Sequence, residues 1–174
     1  MKQKVYKEAF TLVEIIIVIS IIALIATIGI GSYSALNKNA RNARRKTDLE
    51  QVRSALELYK SNNGVYPTTG GGWYGTCTAG WATVTSDYVP NIVTDGYIQK
   101  LPQDPRNGQS FSPCNDGSMV CYTYRSDGKD FKLIAVCGAE TTPNSNDQYY
   151  DPGAGGIRSN TSYQISSSNT SLQW

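Results

Sequence analysis

With 174 residues, 16 Lys and Arg against 14 Asp and Glu, and no His, the chain has room for one compact domain plus an appendage and a formal charge of only +2. That balance gives no general pull toward nucleic acid, and the missing imidazole excludes His-dependent catalytic triads and His-ligated zinc. No nucleophile and base can be paired, so an enzyme ranks last among the functional classes, and no cofactor is implied. Charged residues make up 17%, and 16 Gly, 12 Tyr and a second half rich in Ser, Thr and Asn read as an exported surface with much loop and sheet.

Residues 1–9 read as a short leader in which Lys2, Lys4 and Lys7 outnumber Glu8. From Phe10 to Ile30 the chain is apolar except for Thr11, Ser20, Thr27, Gly29 and the single charge of Glu14. As a helix this run covers about 30 Å, one membrane span. A cleavable secretory signal fits less well, because its apolar core is shorter, about 7 to 15 residues, and ends in a small-x-small site. An acidic residue early in such a core also opposes insertion.

Ala9-Phe10-Thr11-Leu12-Val13-Glu14, followed by unbroken Ile, Val, Leu and Ala, resembles the processing signature of type IV pilins and type II secretion pseudopilins. The resemblance implies that prepilin peptidase, a membrane-embedded aspartate protease, cuts between Ala9 and Phe10 and that the new amine of Phe10 is methylated. The family's usual residue before the cut is Gly, for which Ala9 is the commonest substitute. Glu14 has a physical logic of its own, since an ionised carboxylate in hydrocarbon persists only with a partner or beside an interface. Cleavage supplies a partner in the ammonium of Phe10, one helical turn away in the same chain or, as the resemblance implies, on a neighbouring subunit of a growing filament. The competing reading is snorkelling to the head groups, and the intact motif favours assembly.

Beyond the span, Gly29 and Gly31 weaken an otherwise helical pattern and predict a soft joint. Lys38, Arg41, Arg44, Arg45 and Lys46 then outnumber the leader's lysines, so a positive-inside count points against export. The cysteines and the resemblance overrule it. These basic residues read as a charged outer helix face, with Arg44 and Asp48 spaced for an i,i+4 pair, which does not favour a nucleic-acid partner. Leu49, Val52, Leu56 and Tyr59 form an apolar stripe, and Asn62-Asn63-Gly64 stops the helix. Residues 41–67 are again similar to the pseudopilins and bacterial pilins.

Gly70-Gly71-Gly72-Trp73-Tyr74-Gly75 reads as an aromatic loop. Leu101-Pro102-Gln103-Asp104-Pro105-Arg106-Asn107-Gly108 resembles the segment that major pseudopilins place between helix and sheet. From Cys121 to Cys137 the alternation predicts a hairpin turning at Ser126-Asp127-Gly128-Lys129, with Tyr124 opposite Phe131 and Tyr122 opposite Leu133. Cys77, Cys114, Cys121 and Cys137 read as two disulfides in an oxidising exterior rather than a zinc site, since no C-x-x-C pair occurs. Three connectivities are open, with a slight lean to Cys77 with Cys114. Asp127, Asp130, Asp147 and Asp151 lack the spacing of a calcium loop and read as turn formers, so no metal is expected. Residues 140–174 read as a polar loop or tail with little to bury.

The expected fold class is α+β and type IV pilin-like: a long N-terminal α-helix, transmembrane in its first half, packed on a small antiparallel β-sheet head. Residues 1–9 would be leader, 10–30 the transmembrane and filament-core half-helix, 31–63 the amphipathic half, 64–139 the head and 140–174 the tail. The expected function is a structural subunit of a type IV pilus or of a type II secretion pseudopilus. Its partners by resemblance are prepilin peptidase, identical or homologous subunits in a helical filament, and an inner-membrane assembly platform. It would sit in the cytoplasmic membrane by a single span with an exported head, and after assembly in an extracellular or periplasmic filament. The rival is a minor pilin or membrane-tethered binding module whose aromatics around Trp73, Tyr74 and Trp81 touch a surface, DNA or a secreted substrate.

Overall fold

The structure is a computed structural model that describes residues 10–76, 82–109, 119–150 and 161–167, without the side chains of 28–32. Ala9, Cys77, Trp81, Cys114 and Asp151 lie outside the described residues. The backbone makes one helix, α1 (Leu12–Asn63), and five strands: β1 (Trp73–Gly75), β2 (Ala82–Val84), β3 (Cys121–Ser126), β4 (Phe131–Val136) and β5 (Tyr163–Ser166). Two compact units divide the chain, residues 1–38 and 39–174.

In the first unit α1 continues through Gly29 and Gly31. Its apolar side chains are open on every side: Leu12, Val13 and the Ile, Val and Leu residues through Ile25 are 49% to 75% exposed. The polar residues in the run are satisfied locally, because the Ser20 and Thr27 hydroxyls donate to the carbonyls of Ile16 and Leu24, both at 2.7 Å. Among the described residues no helix is long and apolar enough to cross a membrane.

In the second unit most of the expected stripe is buried, with Tyr59 only half-buried. Leu49, Val52 and Leu56 are at most 1% exposed. They pack with Tyr88, Val89, Ile92, Tyr122, Tyr124, Phe131 and Leu133 into the main core. Asn63 ends α1 because Gly64 takes φ 78°, a left-handed conformation that returns its N–H to the Lys60 carbonyl at 2.7 Å.

The sheet has the order β2-β1-β3-β4-β5 and is mixed, which corrects the expected all-antiparallel sheet. Strands β1 and β2 pair in parallel, Trp73 with Ala82, while the other neighbours are antiparallel. Three-residue strands carry no alternation long enough to reveal direction, so the sequence could not show this. Trp73 and Tyr74 also belong to β1, not to an aromatic loop.

The hairpin register is shifted two residues from expectation. Tyr124 faces Leu133, Tyr122 faces Ala135 and Ser126 faces Phe131. A shift of two preserves which face each side chain takes. The loop is longer because Asp127 Oδ1 accepts the N–H groups of both Lys129 and Asp130, at 2.9 and 2.8 Å, which builds the bend from 127–130. The polar tail is corrected too: Tyr163–Ser166 becomes β5 against β4 and places Tyr163 and Ile165 in the core. Four residues of alternation inside a Ser- and Asn-rich segment were too short to stand out. All of β4 is buried, and Cys121, Ile134, Val136 and Cys137 form a second cluster with Val120.

Candidate assembly site and helix clasp

Thr11 and Glu14 open α1 as a capping box. The Thr11 N–H and hydroxyl donate to Glu14 Oε2 at 2.9 and 2.8 Å, and the Glu14 N–H donates to Thr11 Oγ1 at 3.2 Å. Two N–H groups that the helix leaves unpaired are thereby satisfied reciprocally. Thr11-x-x-Glu14 is the sequence signature of this device; Glu14 read only as an intersubunit partner leaves Thr11 unused. Phe10, the expected first mature residue, is 82% exposed.

The second half of α1 carries a charged cluster that the sequence reading placed on the outer face. The structure corrects this: Arg45 is fully buried and grips Asp104 with both arms, Nε to Oδ2 at 2.7 Å and Nη2 to Oδ1 at 2.9 Å. Its remaining Nη1 reaches Asn42 Oδ1 at 3.2 Å and Glu140 Oε1 at 3.3 Å. Arg41 makes a forked pair with the Glu140 carboxylate. Asn42 also accepts the Glu140 N–H at 3.2 Å and donates to Thr141 at 3.1 Å. The signal was legible, because Arg45 precedes Leu49, Val52 and Leu56 by four, seven and eleven and so shares their inward face.

Gly138 is fitted to this guanidinium. A Cβ there would stand 2.8 Å from Arg45 Nε and 2.9 Å from its Cδ, so a larger residue must displace the arginine.

Further pairs extend the grip. Lys46 pairs with Asp147 and lies 5.0 Å from the rings of both Tyr149 and Tyr163. Arg44 and Asp48 form the expected i,i+4 pair at 3.8 Å, yet the closer partner of Asp48 is the Tyr122 hydroxyl at 2.7 Å.

Protonation follows these contacts. The Arg41 hydrogen bond holds the Glu140 carboxyl below its ordinary range, while burial pulls the other way. Burial opposes the charge on Arg45, and the hydrogen bond and charge of Asp104, with those of Glu140, more than offset it, so its pKa rises. Burial raises Asp48, only partly countered by Tyr122 and Arg44.

Cys121 opens β3, Cys137 follows β4, and both are disulfide-bonded. Asp127 and Asp147 act as turn formers, Asp147 Oδ1 accepting the Tyr149 N–H at 3.1 Å. Trp73 packs beside the second cluster with the Arg125 guanidinium 5.9 Å from its ring, and Tyr74 packs against the main core. Both aromatics are half-buried.

A long N-terminal helix whose second half is clasped to a head with a small mixed sheet is consistent with a pilin-like fold. The chain matches the family described as type II secretion system protein G over residues 33–151. It is 30% identical over 132 residues to the type II secretion system core protein G of Vibrio cholerae, covering 75% of this chain and 88% of that one. The core protein G of Klebsiella michiganensis is 33% identical over 124 residues, 70% of this chain and 85% of its own. That of Pseudomonas aeruginosa is 30% identical over 131 residues, 74% and 89% of the two chains. No solved structure matches the chain. The chain belongs to the type II secretion system protein G family. It is a structural pseudopilin rather than an enzyme, and secretion rather than an extended pilus is its setting.

Proposed function

We propose that the chain is made as a membrane-anchored precursor, is cut by prepilin peptidase between Ala9 and Phe10, and polymerises with copies of itself or homologous subunits on an inner-membrane platform. The observation that carries this is the run from Phe10 to Ile30 with its one charge, Glu14, seated as the family motif requires. Its side chains are exposed around the described part of the helix, and such a surface needs lipid before assembly and neighbouring helices after it. The head then lies on the exported side, where Cys121 and Cys137 find an oxidising environment.

Glu14 changes partner in this scheme. Before cleavage Thr11 holds its carboxylate. Cleavage gives Phe10 a free, methylated ammonium, and the neighbour's ammonium then neutralises Glu14 as the helices leave the bilayer. A nucleic-acid partner is not favoured, because Arg41, Arg45 and Lys46 are already paired with Glu140, Asp104 and Asp147. The minor-pilin alternative differs in abundance, since a major subunit builds filaments when overexpressed alone.

Two measurements test the scheme. Mass spectrometry of the mature chain should find N-methylated Phe10 at its start, and a start near Ala35 would mean ordinary signal cleavage. Glu14→Leu should leave export and the head intact while subunits strand in the membrane. Filament yield equal to the parent would sink the pairing.

A further inference from the structure

The residue that follows β4 adopts a conformation its own chemistry does not favour. Cys137 has φ 55°, in the left-handed region, where a residue with a Cβ is strained and where Gly or Asn is the ordinary occupant. Had β4 continued extended, Cys137 would follow Phe131, Leu133 and Ala135 onto the helix-facing side. The left-handed turn instead puts it in the cluster on the opposite face with Cys121 and Val136. The same turn sends Gly138, Ala139 and Glu140 back toward α1. Gly138 lies against Arg45, the Ala139 N–H donates to the Thr161 carbonyl at 2.9 Å, and Glu140 receives Arg41 and Arg45.

A strained turn persists only where its surroundings over-determine it. The Cys137 N–H donates to Ser162 Oγ at 3.1 Å, the Gly138 N–H closes the turn on the Ala135 carbonyl at 3.4 Å, and the Cys137 sulfur is tied in a disulfide. Each of these hydrogen bonds is worth about 1 kcal/mol, comparable to the strain they oppose, and the covalent tie is the restraint that reduction removes.

We propose that residues 137–140 form a redox-dependent clasp: the Cys137 disulfide holds the left-handed turn that delivers Glu140 to Arg41 and Arg45, so the second half of α1 is locked to the head only in the oxidised chain. This goes beyond the filament role. Its placement in an oxidising compartment rests on the exported head proposed above, whereas the coupling itself does not.

The test uses the full-length chain in detergent micelles, folded and oxidised, then treated with tris(2-carboxyethyl)phosphine without denaturant. The phosphine is oxidised to its oxide with oxygen from water, and each disulfide gains two electrons and two protons to give two thiols. Amide exchange at Ala139 and Glu140 should accelerate by roughly tenfold or more, while the β3–β4 amides between Tyr122 and Leu133 stay within about twofold. Unchanged exchange at 139 and 140 overturns the clasp. Uniform acceleration across the head also overturns it, because the disulfide would then supply only general stability.

A second readout isolates the coupling. In the oxidised chain Glu140→Gln should shift the unfolding equilibrium, and in a Cys137→Ser background the same change should shift it by a factor near one. Equal shifts in both backgrounds refute the proposal. If Cys137→Ser does not fold, the comparison runs on reduced parent and reduced Glu140→Gln, with the same two outcomes.

Discussion

In the apolar opening of α1, among the described residues through Thr27, the polar side chains pair within a turn of themselves, Thr11 with Glu14, Ser20 with the Ile16 carbonyl and Thr27 with the Leu24 carbonyl. Along the second half local bonds persist, such as Thr47 to the Ala43 carbonyl, but a set of charged and polar side chains also reaches distant segments: Arg45 to Asp104, Arg41 to Glu140, Lys46 to Asp147 and Asp48 to Tyr122. The difference fits the membrane anchor proposed above for the first half. In hydrocarbon an unpaired polar group is costly and no distant partner is at hand, so the pairing must be local. In a folded head the pairing becomes the fastening, because a buried guanidinium is tolerable only when its carboxylates are brought to it.

Breaking that fastening should give the largest effect. Arg45→Ala leaves the Asp104 and Glu140 carboxylates buried with less compensation and opens a cavity, so the head should lose about 3 to 5 kcal/mol. Urea unfolding followed by tyrosine fluorescence measures this, and a loss below about 1 kcal/mol would contradict the buried geometry.

Acid should sharpen the comparison. Because Glu140 has a folded pKa below its unfolded one, its stabilisation is complete above the unfolded value and is lost as pH falls through the folded value. Asp48, raised by burial, works with the opposite sign and regains stability as it protonates. Denaturation midpoints of the parent should therefore fall more steeply toward acid than those of Glu140→Gln. Parallel curves would remove Glu140 from the account.

The smallest effect belongs to the first half. Thr11→Ala removes the capping box and should cost about 1 kcal/mol, confined to the opening turn of α1. Helix content of the mature chain in micelles should fall slightly while the head's unfolding midpoint stays put, and a shift in that midpoint would contradict the separation.

Most of the fold was legible where periodicity runs long. The stripe Leu49, Val52, Leu56, the stop at Gly64 and the alternation of β3 and β4 all span enough residues to overcome local ambiguity. Direction in β1 and β2 and the existence of β5 were not, since three or four residues cannot carry a pattern and their partners lie far off in sequence. At the candidate site Glu14 stood out because a charge in an apolar run is conspicuous. Arg45 did not, because an arginine among Lys38, Arg41, Arg44 and Lys46 blends into a basic surface until its register with Leu49 is counted. Asp104 looked like a turn residue beside Pro105, and only the fold reveals that the turn presents it to Arg45.

Strand β5 has a consequence in time. Tyr163–Ser166 pairs along β4 and fills the core with Tyr163 and Ile165, yet it is among the last described residues in chain order. A head emerging across a membrane from its anchored end would present α1, β3 and β4 first, with the far edge of β4 unpaired. Such an open edge is a template for another chain's strand. The interval between translocation of Val136 and of Tyr163 is therefore when a growing subunit is most open to aggregation, and a chaperone waiting on the exported side would find its target there.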